Sequence, residues 1–141
     1  MRAVAAATLA SLAVLAGCGG SSTKPESAAA FVKKVTVEFS RGEAGPLWDQ
    51  LVPAEQRLVP RATYVSCAKN GFRLRGFKVL QQYDEDVSVL AHAVPSTAVS
   101  IQVTSDDGIT TATLHAVKVG GTWRWILSRN ELAAFRAGRC P

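Results

Sequence analysis

The stretch ITTATLHAVKVGGTWRWILS, residues 109–128, decides the fold. Two runs rich in β-branched and aromatic side chains, Ile109 to Val119 and Thr122 to Ser128, flank Gly120-Gly121. Such side chains favour strands, and paired glycines supply the positive φ that a two-residue hairpin loop requires. That loop pairs Val119 with Thr122, hence Ala116 with Trp125 and Leu114 with Leu127. One face then carries Ala112, Leu114 and Ala116 beside Trp123, Trp125 and Leu127, large side chains over small ones. The opposite face carries His115, Val117, Arg124 and Ile126, a mixed surface.

Working back along the chain, Phe77 to Tyr83, Val87 to Leu90 and Ala98 to Thr104 are further strand-like runs divided by turn residues. Val99, Ile101 and Val103 alternate with Ser100 and Gln102, as on a half-buried strand. Asp84-Glu85-Asp86 reads as a charged turn, His92 falls in a loop near Pro95, and Asp106-Asp107-Gly108 marks another turn. The first half has a helical period instead. Ala28, Phe31, Val32, Val35 and Phe39 predict one amphipathic helix over 26–40 that stops near Gly42.

Pro46 is placed to open a short helix in which Leu47, Trp48 and Leu51 share a face; Pro53 breaks it and opens another. Pro60 starts a segment with Tyr64, Val65 and Ala68 on one side and Asn70-Gly71 as its cap. After the sheet, Ser128 and Glu131 have capping-box spacing, Leu132 and Phe135 form an apolar side, and Gly138 ends the last helix. Helices first, then a curved and mostly antiparallel sheet, then a short helix is the α+β class.

The N-terminus has a different grammar. Met1-Arg2 precedes an apolar run from Ala3 to Ala16, broken only by Thr8 and Ser11. This is the layout of a secretory signal, and the run is shorter than the roughly 20 residues a membrane-spanning helix needs. Leu15-Ala16-Gly17-Cys18 resembles the lipobox of bacterial lipoproteins. The resemblance implies cleavage before Cys18, lipidation of its thiol, and a membrane as partner through N-terminal diacylglycerol. Two acyl chains anchor stably where one is marginal. The division expected is a signal peptide over 1–17, a lipidated cysteine and flexible tether over 18–25, and a single domain over 26–141. The tether's typical reach is roughly 15 Å, which keeps the domain near the lipid.

With Cys18 assigned to lipid, Cys67 and Cys140 remain as an even pair in an oxidising compartment, and a bridge between them is expected. Two buried free thiols are the other reading. The expected cut removes Arg2 and lowers the formal net charge from +5 by one, a mildly basic balance that suits an anionic membrane surface. Export, and the lack of an aromatic-and-basic RNA motif or a helix-turn-helix pattern, argue against nucleic acid.

A long first helix, several short ones and a curved sheet resemble the NTF2-like, cystatin-like domains over roughly residues 26–140. That resemblance rests on element order and implies a cone, often with a pocket between sheet and helices. Some such domains are isomerase- or dehydratase-type enzymes. The chain is also similar to small exported lipoproteins of high-GC bacteria, in which a Trp-Arg-Trp strand, here Thr122-Trp123-Arg124-Trp125, precedes a terminal Cys-Pro.

Candidate site residues are few. A pocket enzyme needs an acid or histidine whose pKa burial has moved toward its task. Asp49, beside Trp48, is one candidate, and it reads equally as a solvated helix residue. His115 lies mid-strand on the more polar face, where a structural role competes. Tyr64 and Tyr83 could offer hydroxyls to a ligand, or pack in the core with those hydroxyls satisfied. His92 has no evident partner.

Two distant histidines make no zinc site, and three adjacent acids do not space calcium ligands. No P-loop, nucleophile elbow or dinucleotide fingerprint occurs, so no cofactor or metal is expected. Arg57, Arg61, Lys69, Arg73, Arg75 and Lys78 form a stretch without acids that either leans on anionic lipid or is an ordinary solvated face. The expectation is a lipid-anchored envelope module that binds an apolar ligand or an envelope protein, with the pocket enzyme as its rival.

Overall fold

The structure is a computed structural model that describes residues 25–67 and 71–141. The signal segment, Cys18, most of the tether, Ala68, Lys69 and Asn70 lie outside the described residues. The order is α1 (Ala28–Arg41), α2 (Ala44–Asp49), α3 (Pro53–Gln56), α4 (Arg61–Cys67), β1 (Leu74–Val89), β2 (His92–Ser105), β3 (Gly108–Val119), β4 (Thr122–Trp125) and α5 (Arg129–Arg136). The strands form one antiparallel sheet in the order β1-β2-β3-β4. The α+β class expected from the sequence is the class observed.

Helix α1 forms where its apolar stripe predicts. The Ser27 side chain accepts from the Ala30 N–H, and Gly42, at φ 68°, ends the helix in the left-handed conformation. Phe31, Val32 and Val35 are buried against Val99 and Ile101 of β2, Ala116 of β3 and Trp125 of β4. Burying side chains of this size stabilises by roughly 1.5–3 kcal/mol each. Helix α5 carries the full capping box between Ser128 and Glu131.

Three short helices link α1 to the sheet. Pro53 opens α3, as expected, but α2 begins at Ala44, so Pro46 lies inside its first turn rather than at its start. In α4, Tyr64 is buried while Val65 faces solvent, because a seven-residue helix covers the core with one narrow stripe.

The hairpin register is as read: Val119 opposes Thr122, and Ala116 opposes Trp125. The expected pairing of Leu114 with Leu127 does not occur. Strand β4 ends at Trp125, whose N–H donates to the Gln50 carbonyl and whose own carbonyl accepts from the Val52 N–H. These bonds tie the other edge of β4 to the segment between α2 and α3, and after Trp125 the chain leaves β3 for α5.

The face expected to be a mixed surface is partly a second core. Val117 packs there with Val52 and Val89, and Ile126 and Leu90 flank them.

Asp84-Glu85-Asp86 is not a turn but the middle of β1, opposite Thr97, Ser96 and Pro95. As an edge strand, β1 accepts exposed charge, which also discourages pairing with other chains. The turn comes later, at Leu90-Ala91, so His92 starts β2 rather than lying in a loop. Pro95 is tolerated because the β2–β3 pairing begins only at Thr97, so no ladder bond toward β3 needs its missing N–H.

Cys67 and Cys140 are joined by a disulfide with a Cα–Cα distance of 5.3 Å, tying the chain's end to α4. Each of these elements and both apolar clusters is built from the described residues of segment 25–141.

Candidate functional site

The departure of β4 leaves a gap in the sheet. Beyond Ala116, the outer edge of β3 from Gly108 to His115 has no partner strand among the described residues. A groove of about 920 Å³ runs along this edge. Its apolar wall comes from the helix-facing side of the sheet, with Ile101, Val103 and Leu114, and from Phe39, Trp125 and Leu127. Here the sequence reading missed a consequence. The expected register puts Leu114 opposite Leu127 with Ala112 on the same face, but with β4 ended at Trp125 Ala112 is exposed and Leu114 only half-buried.

The groove wraps over the edge to the opposite face, where Glu85 and His115 stand. Strand β2 separates their strands, yet His115 Nε2 and Glu85 Oε1 lie 2.7 Å apart. Between them β2 presents only Ser96 and Ala98, small enough to be bridged over. Among the described residues no hydroxyl bonds to the His115 ring, so the pair has no attached nucleophile.

At the far wall, Glu131 of α5 lines the groove, and its Oε2 accepts the Ser128 N–H at 2.7 Å. Behind it, Glu55 of α3 is 2 % exposed, and its Oε2 accepts the Leu127 N–H at 2.9 Å. Burial pushes the Glu55 carboxyl up to about 7; the Leu127 N–H opposes this and the Glu131 charge adds to it.

The other candidates fall elsewhere. Tyr64 packs against Phe135 and Trp125, with centroids 5.4 and 6.4 Å away, and borders a separate cavity of about 200 Å³. Burial, then the Glu131 charge, raise its hydroxyl pKa. Asp49 is exposed, pairs with Arg61 at 3.3 Å and does not line the groove. Tyr83 is 41 % exposed on β1. His115 is thus the one sequence candidate on the groove.

The basic stretch is divided among elements. Arg57 follows α3, Arg61 starts α4, Arg73 precedes β1, and Arg75 and Lys78 lie on it. Arg75 is ion-paired with Asp106, and Lys69 lies outside the described residues.

Sequence reasoning missed Glu131 as a groove-lining acid and Glu55 as the buried acid behind it. Both look like ordinary first-turn helix acids, and only packing distinguishes a buried one. Among the described residues, no cluster of three or more His, Cys, Asp or Glu could hold a metal, and no helix is long and apolar enough to cross a membrane. No protein-family model matches this chain, and no curated protein matches it.

Proposed function

We propose that this protein is a lipid-anchored extracytoplasmic lipoprotein whose domain is a non-catalytic binding module, with the groove along β3 as its recognition surface. The observation that carries the binding role is the groove itself: about 920 Å³, lined by Ile101, Val103, Leu114 and Trp125, with a few charged residues among its lining. Sites that take small molecules or partner side chains are commonly concave and mostly apolar, with a few polar groups for orientation. The anchoring role rests on Leu15-Ala16-Gly17-Cys18 after the apolar run. The resemblance to NTF2-like domains, which often hold a pocket between sheet and helices, points the same way.

The rival enzyme reading has one contact in its favour, the His115–Glu85 pair on the groove. A histidine oriented by a carboxylate can act as a general base. An enzyme would need a further group near that ring, and among the described residues His115 has Glu85 as its one side-chain partner.

Two measurements test the proposal. In cells given labelled palmitate, the protein takes up label and Cys18→Ser does not; equal labelling of both removes the anchor. For the groove, segment 25–141 with its disulfide is titrated with the neutral apolar dye N-phenyl-1-naphthylamine. The dye brightens and shifts to the blue on binding, and Ala112→Trp, which fills the exposed side of the groove, abolishes this while the fold persists. A dye that stays dark with the wild-type segment sinks the binding role.

A further inference from the structure

The backbone of β3 adds a second kind of recognition to the apolar groove. Two-residue loops close the hairpins at both of its ends, Ser105 opposite Gly108 and Val119 opposite Thr122. In antiparallel ladders the residues flanking such a loop exchange both backbone bonds, and bonding alternates from there. Gly108 and every second residue after it therefore turn N–H and C=O toward β2. Val119 and Val117 turn theirs toward β4, so Thr111, Thr113 and His115 direct the same groups at the lane that β4 leaves empty. Their side chains lie on the Glu85 face, whereas Ala112 and Leu114 point into the apolar groove.

Charge along the groove runs against the molecule as a whole. The chain has 16 Lys and Arg against 11 Asp and Glu. Yet Glu85, Asp86, Asp107 and Glu131 line the groove with Arg129 as its one arginine and no lysine. An occupant complementary to it is cationic.

Building on the binding-module reading, we propose that the open edge of β3 takes an extended basic peptide segment of a partner protein by antiparallel strand addition. The segment continues the lane of β4. Its apolar side chains alternate into the groove over Ala112 and Leu114, and its cationic side chains fall on the Glu85 side. Main-chain bonds supply affinity in this mode, and alternate side chains supply specificity. A second copy of the chain fits less well, because it would bring one acidic rim against another.

The geometry is specific enough to test with an acetylated and amidated heptapeptide alternating Lys and Val. In antiparallel addition the residues bonded to β3 sit opposite Thr111, Thr113 and His115, which makes them the lysines. N-methylation of the lysine nitrogens thus blocks binding, while N-methylation of the valine nitrogens is tolerated.

With segment 25–141, the parent peptide slows amide hydrogen exchange at Thr111, Thr113 and His115. Methylated lysine weakens binding by about tenfold or more, as loss of several backbone hydrogen bonds implies. Glu85→Gln weakens it several-fold and flattens its salt dependence.

Four results overturn the proposal: no binding of the Lys/Val peptide, equal binding of a Glu/Val peptide, indifference to which nitrogens are methylated, or protection of those amides with rising protein concentration alone, which would mark self-pairing. Dye binding without peptide binding leaves the module standing and removes strand addition. Absence of both removes the module as well.

Discussion

Glu55 shows what one buried carboxyl does to a small domain. It is 2 % exposed, and burial holds its pKa at about 7 against an ordinary 4.5. The folded state therefore keeps a proton that the unfolded chain releases first. The associated stability is fully present below pH 4.5 and is lost as pH rises through about 7. A shift of that size corresponds to about 3 kcal/mol. Glu55→Gln keeps an oxygen that can accept the Leu127 N–H and removes the charge. Urea unfolding at pH 5 and pH 8 is expected to show a smaller difference for this variant than for the wild type, with the variant the more stable at pH 8. An unchanged pH slope would assign the effect to other groups. Nothing in Pro53-Ala54-Glu55 announces this role, because an acid in a helix's first turn is ordinary and only the contact with Leu127, far along the chain, buries it.

At the scale of elements, the three hairpins differ in how well their loops suit their residues. Gly120 and Gly121 take φ of 58° and 81°, which cost glycine nothing. Leu90 and Ala91 take φ of 49° and 69°, and there a Cβ is strained. Leu90 is tied to its place by packing in the second cluster with Val52, Val89 and Val117, so its side chain offsets the strain. Ala91 is exposed and has no such compensation. Ala91→Gly is therefore expected to raise stability by about 0.5–1 kcal/mol, read from the urea midpoint. Lower stability would mean that the added freedom of the unfolded chain outweighs the strain relieved. This turn also explains why two strand-like runs are one strand. The acids at 84–86 look like a turn in sequence, but an exposed edge strand tolerates charge, and the hairpin closes at a non-glycine pair that carries no turn signature.

Across the whole molecule, the disulfide joins residues 73 positions apart and thereby fixes α5 and the C-terminal tail on α4. In the chain-entropy view a loop of that length contributes roughly 4 kcal/mol by restricting the unfolded chain. Cys67→Ser with Cys140→Ser is expected to lower stability by an amount of that order in denaturant titration, with a loss under 1 kcal/mol counting against the entropic account. The pair also holds together the wall on which the groove depends, since Glu131 lies on α5 and Leu127 just before it.

Local regularities were legible from sequence alone. The stripe of α1, the capping box of α5, the Gly120-Gly121 hairpin and the α+β order depend on neighbours within a few residues, and such neighbours declare themselves by period and by turn chemistry. The cysteine pairing was accessible by parity. The groove was not. It exists because the chain leaves β3 after Trp125, with the Leu127 N–H held by Glu55 and Ser128 capping α5, contacts that join residues distant in sequence. The run Thr122 to Ser128 is equally strand-like in either case, so only the tertiary structure decides where β4 ends. The same holds for His115: its place in a strand was readable, but the carboxylate facing it lies across β2, where only folded geometry brings Glu85 within 2.7 Å.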